Sequence, residues 1–161
     1  MSLFRSSNWH MLLLPNSGNS SSPQAKMADV HTREQRSRNM AAIRSKDTKP
    51  ELIVRSLLHR MGHRFRLHRA DLPGKPDVVF VRKKKVIFIH GCYWHMHRCR
   101  YGRVVPATNT SFWQTKRLSN VKRDQKNRRL LAKAGWDALT IWECWTKDEA
   151  GIRQRVGAFL A

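Results

Sequence analysis

Acidic residues are scarce: the chain has 161 residues and only 11 Asp and Glu, against 32 Lys and Arg, for a formal charge of +21. A shortage of one sign on that scale argues against an enzyme of small metabolites. It suits a surface that neutralises phosphates and releases their counterions, so a nucleic-acid partner is expected. Long apolar runs are also missing. None approaches the roughly 20 residues that span a bilayer, so no membrane partner is expected. Cysteine is limited to three residues, an odd number. That composition fits a cytosolic chain without disulfides and turns attention to metal binding. There is no internal repeat.

What is present is a folded domain. The hydrophobic content is 40%, with six Trp and six Phe, too much for a basic disordered tail. Residues 1–26 stand apart. Asn16 to Pro23 is a low-complexity Asn/Ser/Gly stretch, and the apolar patch Trp9 to Leu14 is short for a signal peptide. These residues read as a disordered, upstream-translated leader with Met27 as the working start, and 27–161 as one domain. From Met27 to about Arg44 the chain is polar, basic and in part helical.

Thr48, Pro50 and Glu51 carry the spacing of a helix N-terminus with a capping box. Ile53, Val54, Leu57, Leu58 and Met61 then form one apolar helix face that Gly62 can end. Phe65 to Leu67 alternates like an edge strand, and Asp71 to Gly74 is a turn. Val78 to Val81 and Val86 to Ile89 read as two buried strands joined by the basic turn Arg82 to Lys85. Residues 91–111 read as a loop. A basic helix follows over about 112–134, then a strand at Ala138 to Trp142 and a last helix over about 147–159. The order predicts an α/β fold with a mixed sheet flanked by helices.

Two constellations carry chemistry. Cys92, His97 and Cys99 read C-x4-H-x-C, and Cys144 follows downstream; together they form a Cys3His set that suits tetrahedral Zn²⁺ of the structural type. The alternative is three unrelated buried cysteines. The second set is acidic and imidazole-bearing. A hairpin turning at Lys83 and Lys84 places Asp77 directly across from His90 on one sheet face. His95 lies in the loop beyond. Glu51 opens the first helix, where it is either a capping residue or a ligand. Asp124 follows Val121 by three residues, so it either faces inward or pairs with Arg128. Carboxylates of this kind hold Mg²⁺, and a neutral His nearby takes a proton from metal-bound water.

From Met27 to about Phe159 the chain resembles the very short patch repair (Vsr) endonucleases. The resemblance lies in the stretches Met27 to His31, Arg36 to Met40, Leu72 to Asp77, Ile87 to His95, Val105 to Thr108, Phe112 and Trp113, Asn120 to Asp124, and Trp142 to Cys144. It implies a restriction-endonuclease-like core, and a Mg²⁺-dependent nick beside the T of a T·G mispair such as deamination of 5-methylcytosine leaves. It implies Asp77 and the backbone carbonyl of Ile89 as Mg²⁺ ligands, and His95 as general base. His90, Asp124 and Glu51 would hold metal-bound waters, and Cys92, His97, Cys99 and Cys144 would hold structural Zn²⁺. It implies Tyr93, Trp94 and Trp113 as an aromatic wedge pushed into the duplex, where unstacking is cheapest at a mispair. A cytosine-5 methyltransferase and mismatch-repair proteins are the partners it implies, and one active site suits a monomer. There are departures: the E-x-K motif of restriction-like nucleases is absent from the second strand, Ile89 replaces a hydroxyl residue, and Tyr93 stands where Phe is usual.

Overall fold

The computed structural model describes residues 46–161, together with residues 32, 34, 35 and 38. The expected leader, and most of the basic segment after Met27, lie outside the described residues. The described elements are α1 (Lys49–Arg60), β1 (Arg66–Leu67), β2 (Val78–Phe80), β3 (Lys85–His90), α2 (Thr110–Lys133), β4 (Asp137–Trp142) and α3 (Glu149–Leu160). The sheet order is β1-β2-β3-β4. The first three strands run antiparallel, and β4 lies parallel to β3 after the crossover through α2. This is the α/β class with the mixed sheet that the apolar pattern predicts.

The two central strands are apolar at consecutive positions because both faces of the sheet are covered. On one face, Val78, Phe80, Ile87 and Ile141 meet Val54, Leu57 and Leu58 of α1 and Ile152, Val156 and Leu160 of α3. On the other, Val79, Val86 and Phe88 meet Leu131 of α2 and Leu72 of the preceding turn. The predicted α1 face is the buried one, and Gly62, at φ +78°, supplies the left-handed residue that lets the chain leave the helix.

Two expectations about the central hairpin fail together. Val81 is not in the strand: it opens a short 3-10 turn (Val81–Lys83), is 45% exposed, and is followed by Lys84 in the left-handed region at φ 49°. The turn therefore spans four residues, with Phe80 opposite Lys85 and Val79 opposite Val86. Extending that register places Asp77 opposite Phe88, not His90. The slide is of two residues, so Asp77 and His90 keep the same sheet face but sit diagonally. The basic turn has a further use. Lys85 Nζ donates to Phe159 O at 2.6 Å and Lys83 Nζ donates to Leu160 O, so two cations meet the carbonyl end of α3.

Candidate active site and metal centre

Asp77 enters from the turn before β2, and His90 ends β3. Both therefore reach one end of the sheet, where a cleft of about 850 Å³ opens. One Asp77 oxygen accepts from the Ile89 N–H at 2.7 Å, which ties the carboxylate to the end of β3. Glu51, on the first turn of α1, lines the same cleft. It is 4% exposed and held on three sides: Arg55 Nη2 at 2.6 Å, the Thr48 hydroxyl at 2.9 Å and the Asp47 N–H at 3.1 Å. The capping-box reading is thus half right. The carboxylate reaches back to the helix entry, but to Asp47, and Thr48 donates to the carboxylate and does not itself cap the helix.

His90 and His95 stack, ring centroids 3.9 Å apart and nearly parallel. Asp124 of α2 lies beside both, 2.5 Å from His95 Nδ1 and 4.0 Å from His90 Nδ1. Asp124 faces inward, not toward Arg128 on the helix surface. The cleft therefore has two anionic corners, one of Asp77 and Glu51 and one of Asp124 with two imidazoles. Lys46, Lys75, Arg123 and Arg128 stand around them. Cations around carboxylates is the arrangement a phosphodiester needs when a metal ion is to sit between them.

Burial pushes the Asp77 carboxyl up to about 6; the nearby Glu51 charge adds to this and the Ile89 N–H opposes it. Burial also pushes His90 down to about 4, with His95 adding and Asp124 opposing. Each group is neutral by preference, and the two act on stability in opposite directions. The Asp77 contribution is full below its ordinary pKa of 3.8 and is lost as pH rises through about 6. The His90 contribution is full above its ordinary 6.5 and is lost as pH falls through about 4. Asp77→Asn removes the first and leaves the second. In magnesium-free buffer its Tm should exceed the parent's at pH 7 and fall more steeply on acidification toward pH 4. Parallel Tm–pH curves for the two proteins would mean that Asp77 ionises freely.

The second constellation closes as a cluster. Cys92, His97, Cys99 and Cys144 bring their ligating atoms within 4.8 Å of one another. His97 Nδ1 lies 3.7 Å from Cys92 Sγ and 3.4 Å from Cys144 Sγ. Tetrahedral Zn²⁺ with ordinary bond lengths separates an S and an N ligand by about 3.6 Å. The donor set and its spacing therefore fit zinc. Burial pushes the Cys92 thiol up to about 12, so a cation is needed to bring out its thiolate. The alternative of three unrelated buried cysteines fails on geometry. Trp142 stacks on His97 at 4.3 Å and meets His90 edge-on at 5.5 Å, so one indole touches both constellations.

Tyr93, Trp94 and Trp113, each half-buried, come together and belong to neither core cluster. Tyr93 meets Trp94 edge-on at 5.1 Å, and Trp94 meets Trp113 at 5.9 Å. Phe112, 58% exposed, continues the row against Trp113 at 5.1 Å.

Residues 28–101 match the sequence model of the family described as DNA mismatch endonuclease Vsr. The DNA mismatch endonuclease Vsr of Escherichia coli strain K12 is 48% identical over 118 residues, covering 73% of this chain and 75% of that protein. The chain belongs to the Vsr family. Membership places it among DNA endonucleases. Other Vsr-like relatives carry the description Type II nicking enzyme. V.XorIIP of Xanthomonas oryzae pv. oryzae is 45% identical over 134 residues, 83% of this chain and 98% of that protein. V.NmeAIP of Neisseria meningitidis serogroup A is 43% identical over 134 residues, 83% of this chain and 95% of that protein. No described helix of this Vsr chain is long and apolar enough to cross a membrane.

Several residues that shape the site escaped the sequence reading. Arg55 had a signal, its i+4 spacing from Glu51 on one helix face. His68 had none. It sits in the left-handed region at φ 47°, 2.8 Å from Arg55 Nη2 and 4.0 Å from Asp77. Glu143 accepts from the Cys92 N–H at 3.1 Å and so straps the cysteine loop to the end of β4.

Proposed function

We propose that this Vsr protein nicks one strand of duplex DNA 5′ of the T in a T·G mispair, by Mg²⁺-dependent hydrolysis of the phosphodiester, and so starts very short patch repair of deaminated 5-methylcytosine. The observation that carries the reading is the meeting of Asp77 with the His90–His95–Asp124 group in one cleft, beside an aromatic row.

Asp77 and the Ile89 carbonyl would hold Mg²⁺, with Glu51, His90 and Asp124 holding its waters. The ion, when bound, polarises the phosphoryl group and makes its water a stronger nucleophile. His95 receives the proton of the attacking water. Its Nδ1 faces the Asp124 carboxylate, which only accepts, so the imidazole carries its proton there and leaves Nε2 free as the base. His90 stays neutral at working pH, which spares the site a second positive charge against its neighbour. The new P–O bond forms as the bond to the leaving sugar oxygen breaks. Cys92, His97, Cys99 and Cys144 hold structural Zn²⁺ and pin the loop that carries His95. Tyr93, Trp94 and Trp113 form the wedge: base stacking on aromatic rings is worth about 1–3 kcal/mol per base, and it is gained most cheaply where a mispair already weakens the stack. One cleft suffices for one nick, so a monomer acts. A cytosine-5 methyltransferase and mismatch-repair proteins are the partners this reaction implies.

The test is nicking of an end-labelled duplex with one T·G mispair against its T·A counterpart, each with and without Mg²⁺. Cutting confined to the T·G strand and to Mg²⁺ supports the reading. Equal cutting of both duplexes moves the target elsewhere, and cutting without a divalent ion removes the metal role.

A further inference from the structure

α2 presents three polar side chains along one stripe, at positions 117, 120 and 124, which is the i, i+3, i+7 spacing of a single helix face. They take hold of three consecutive loop residues. Arg117 Nε donates to the Tyr93 carbonyl at 2.8 Å, Asn120 Nδ2 to the Trp94 carbonyl at 3.1 Å, and Asp124 accepts from His95 Nδ1 at 2.5 Å. Arg117 does more than its neighbours. It is 5% exposed, its other donors reach the carbonyls of Val104, at 2.9 Å, and Gly102, and its guanidinium lies over the Tyr93 ring at 4.5 Å. All three acceptors are backbone carbonyls. A planar guanidinium fork matches such a set as no other side chain does, and its stacking fixes the tilt of the Tyr93 ring.

We propose that Arg117 is a positioning residue that sets the wedge and the general base in one register, so that cutting depends on insertion. The inference rests on the mismatch-nicking reading above. With residues 93, 94 and 95 each fastened to the same rigid face, displacement of Tyr93 or Trp94 from its inserted position carries His95 away from the phosphate. Asn120 supports the same register from the middle of the stripe.

The experiment compares the full chain with Arg117→Met, Arg117→Lys and Asn120→Ala. Four quantities are read: nicking at saturating protein on T·G and T·A duplexes, fluorescence of a 2-aminopurine beside the mispair with Ca²⁺ replacing Mg²⁺, duplex affinity, and bound zinc. Arg117→Met should slow nicking of the mispaired duplex about 10- to 100-fold. The mispaired-to-matched ratio and the fluorescence rise should fall with it, while affinity for the matched T·A duplex, set mainly by phosphate contacts, stays within about twofold. Arg117→Lys, which keeps the charge and part of the bonding, should recover part of both. A slower reaction with ratio and fluorescence intact would overturn the inference, and so would an unchanged rate. If Arg117→Met sheds its zinc, Asn120→Ala must show the paired fall with zinc retained; failing that, Arg117 is a structural clamp and the inference is lost. An unaltered protein that does not prefer T·G sinks the mismatch reading alone. The same comparison then runs on the duplex it cuts fastest, with the 2-aminopurine beside the cut.

Discussion

Asp77→Asn should reduce single-turnover nicking of a T·G duplex by about 10³-fold or more, since electrostatic stabilisation of the transition state at one well-placed group is already worth 10²- to 10³-fold. The variant keeps the shape of the side chain and an oxygen for the Ile89 N–H, which now sits 2.7 Å from the carboxylate. What it loses is the negative charge that a hard cation requires. Substitution here also relieves the fold, because burial makes the ionised Asp77 costly. Activity and stability should thus move in opposite directions at neutral pH, which separates loss of chemistry from unfolding. A residual rate within tenfold of the parent, at several Mg²⁺ concentrations, would remove Asp77 from the centre of the site.

The second large effect is expected at the cysteine cluster. Cys144→Ser should lower bound zinc from one per chain to a small fraction, drop the Tm by more than about 10 °C and abolish nicking, because structural zinc contributes its binding energy directly to folding. Cys144 lies immediately after β4, whereas Cys92, His97 and Cys99 lie within one loop. Its removal therefore cuts the metal-borne link between loop and sheet, leaves the Glu143 hydrogen bond there, and keeps the loop ligands intact. The loop carries His95, the proposed proton acceptor, which Asp124 holds at Nδ1. Metal analysis and scanning calorimetry on the same sample check this. Full zinc occupancy with unchanged melting would show that the four residues cluster without a structural ion.

Much of this molecule is legible in its sequence. Central strands that are apolar at every position announce a sheet covered on both faces, and Val78, Val79, Val86 and Ile87 behave accordingly. The cysteine set was legible from ligand type, and its closure follows from β4 running parallel to β3 and ending beside the loop. The hairpin register was not. Val81 has the chemistry of a strand residue and Lys84 has no preference for the left-handed region, so nothing in their types reveals a four-residue turn. Arg117 was not legible either. One Arg among many on a basic helix carries no mark that it is buried; that depends on where the carbonyls of residues 93, 102 and 104 end up. His68 is the same kind of case, since its partners Arg55 and Asp77 lie on other elements.

The four-residue turn of the central hairpin also bears on how this chain can change length. If the turn keeps its four residues and the strands slip to absorb a length change, a pair of added or deleted residues preserves the sidedness of everything upstream in β2, whereas a single one inverts it and turns Asp77 away from His90. A length change there is therefore tolerated in even steps and costly in odd ones, unless the turn itself lengthens or a bulge absorbs the extra residue. The basic turn, remote from the cleft, is the hidden parity bit of the active site.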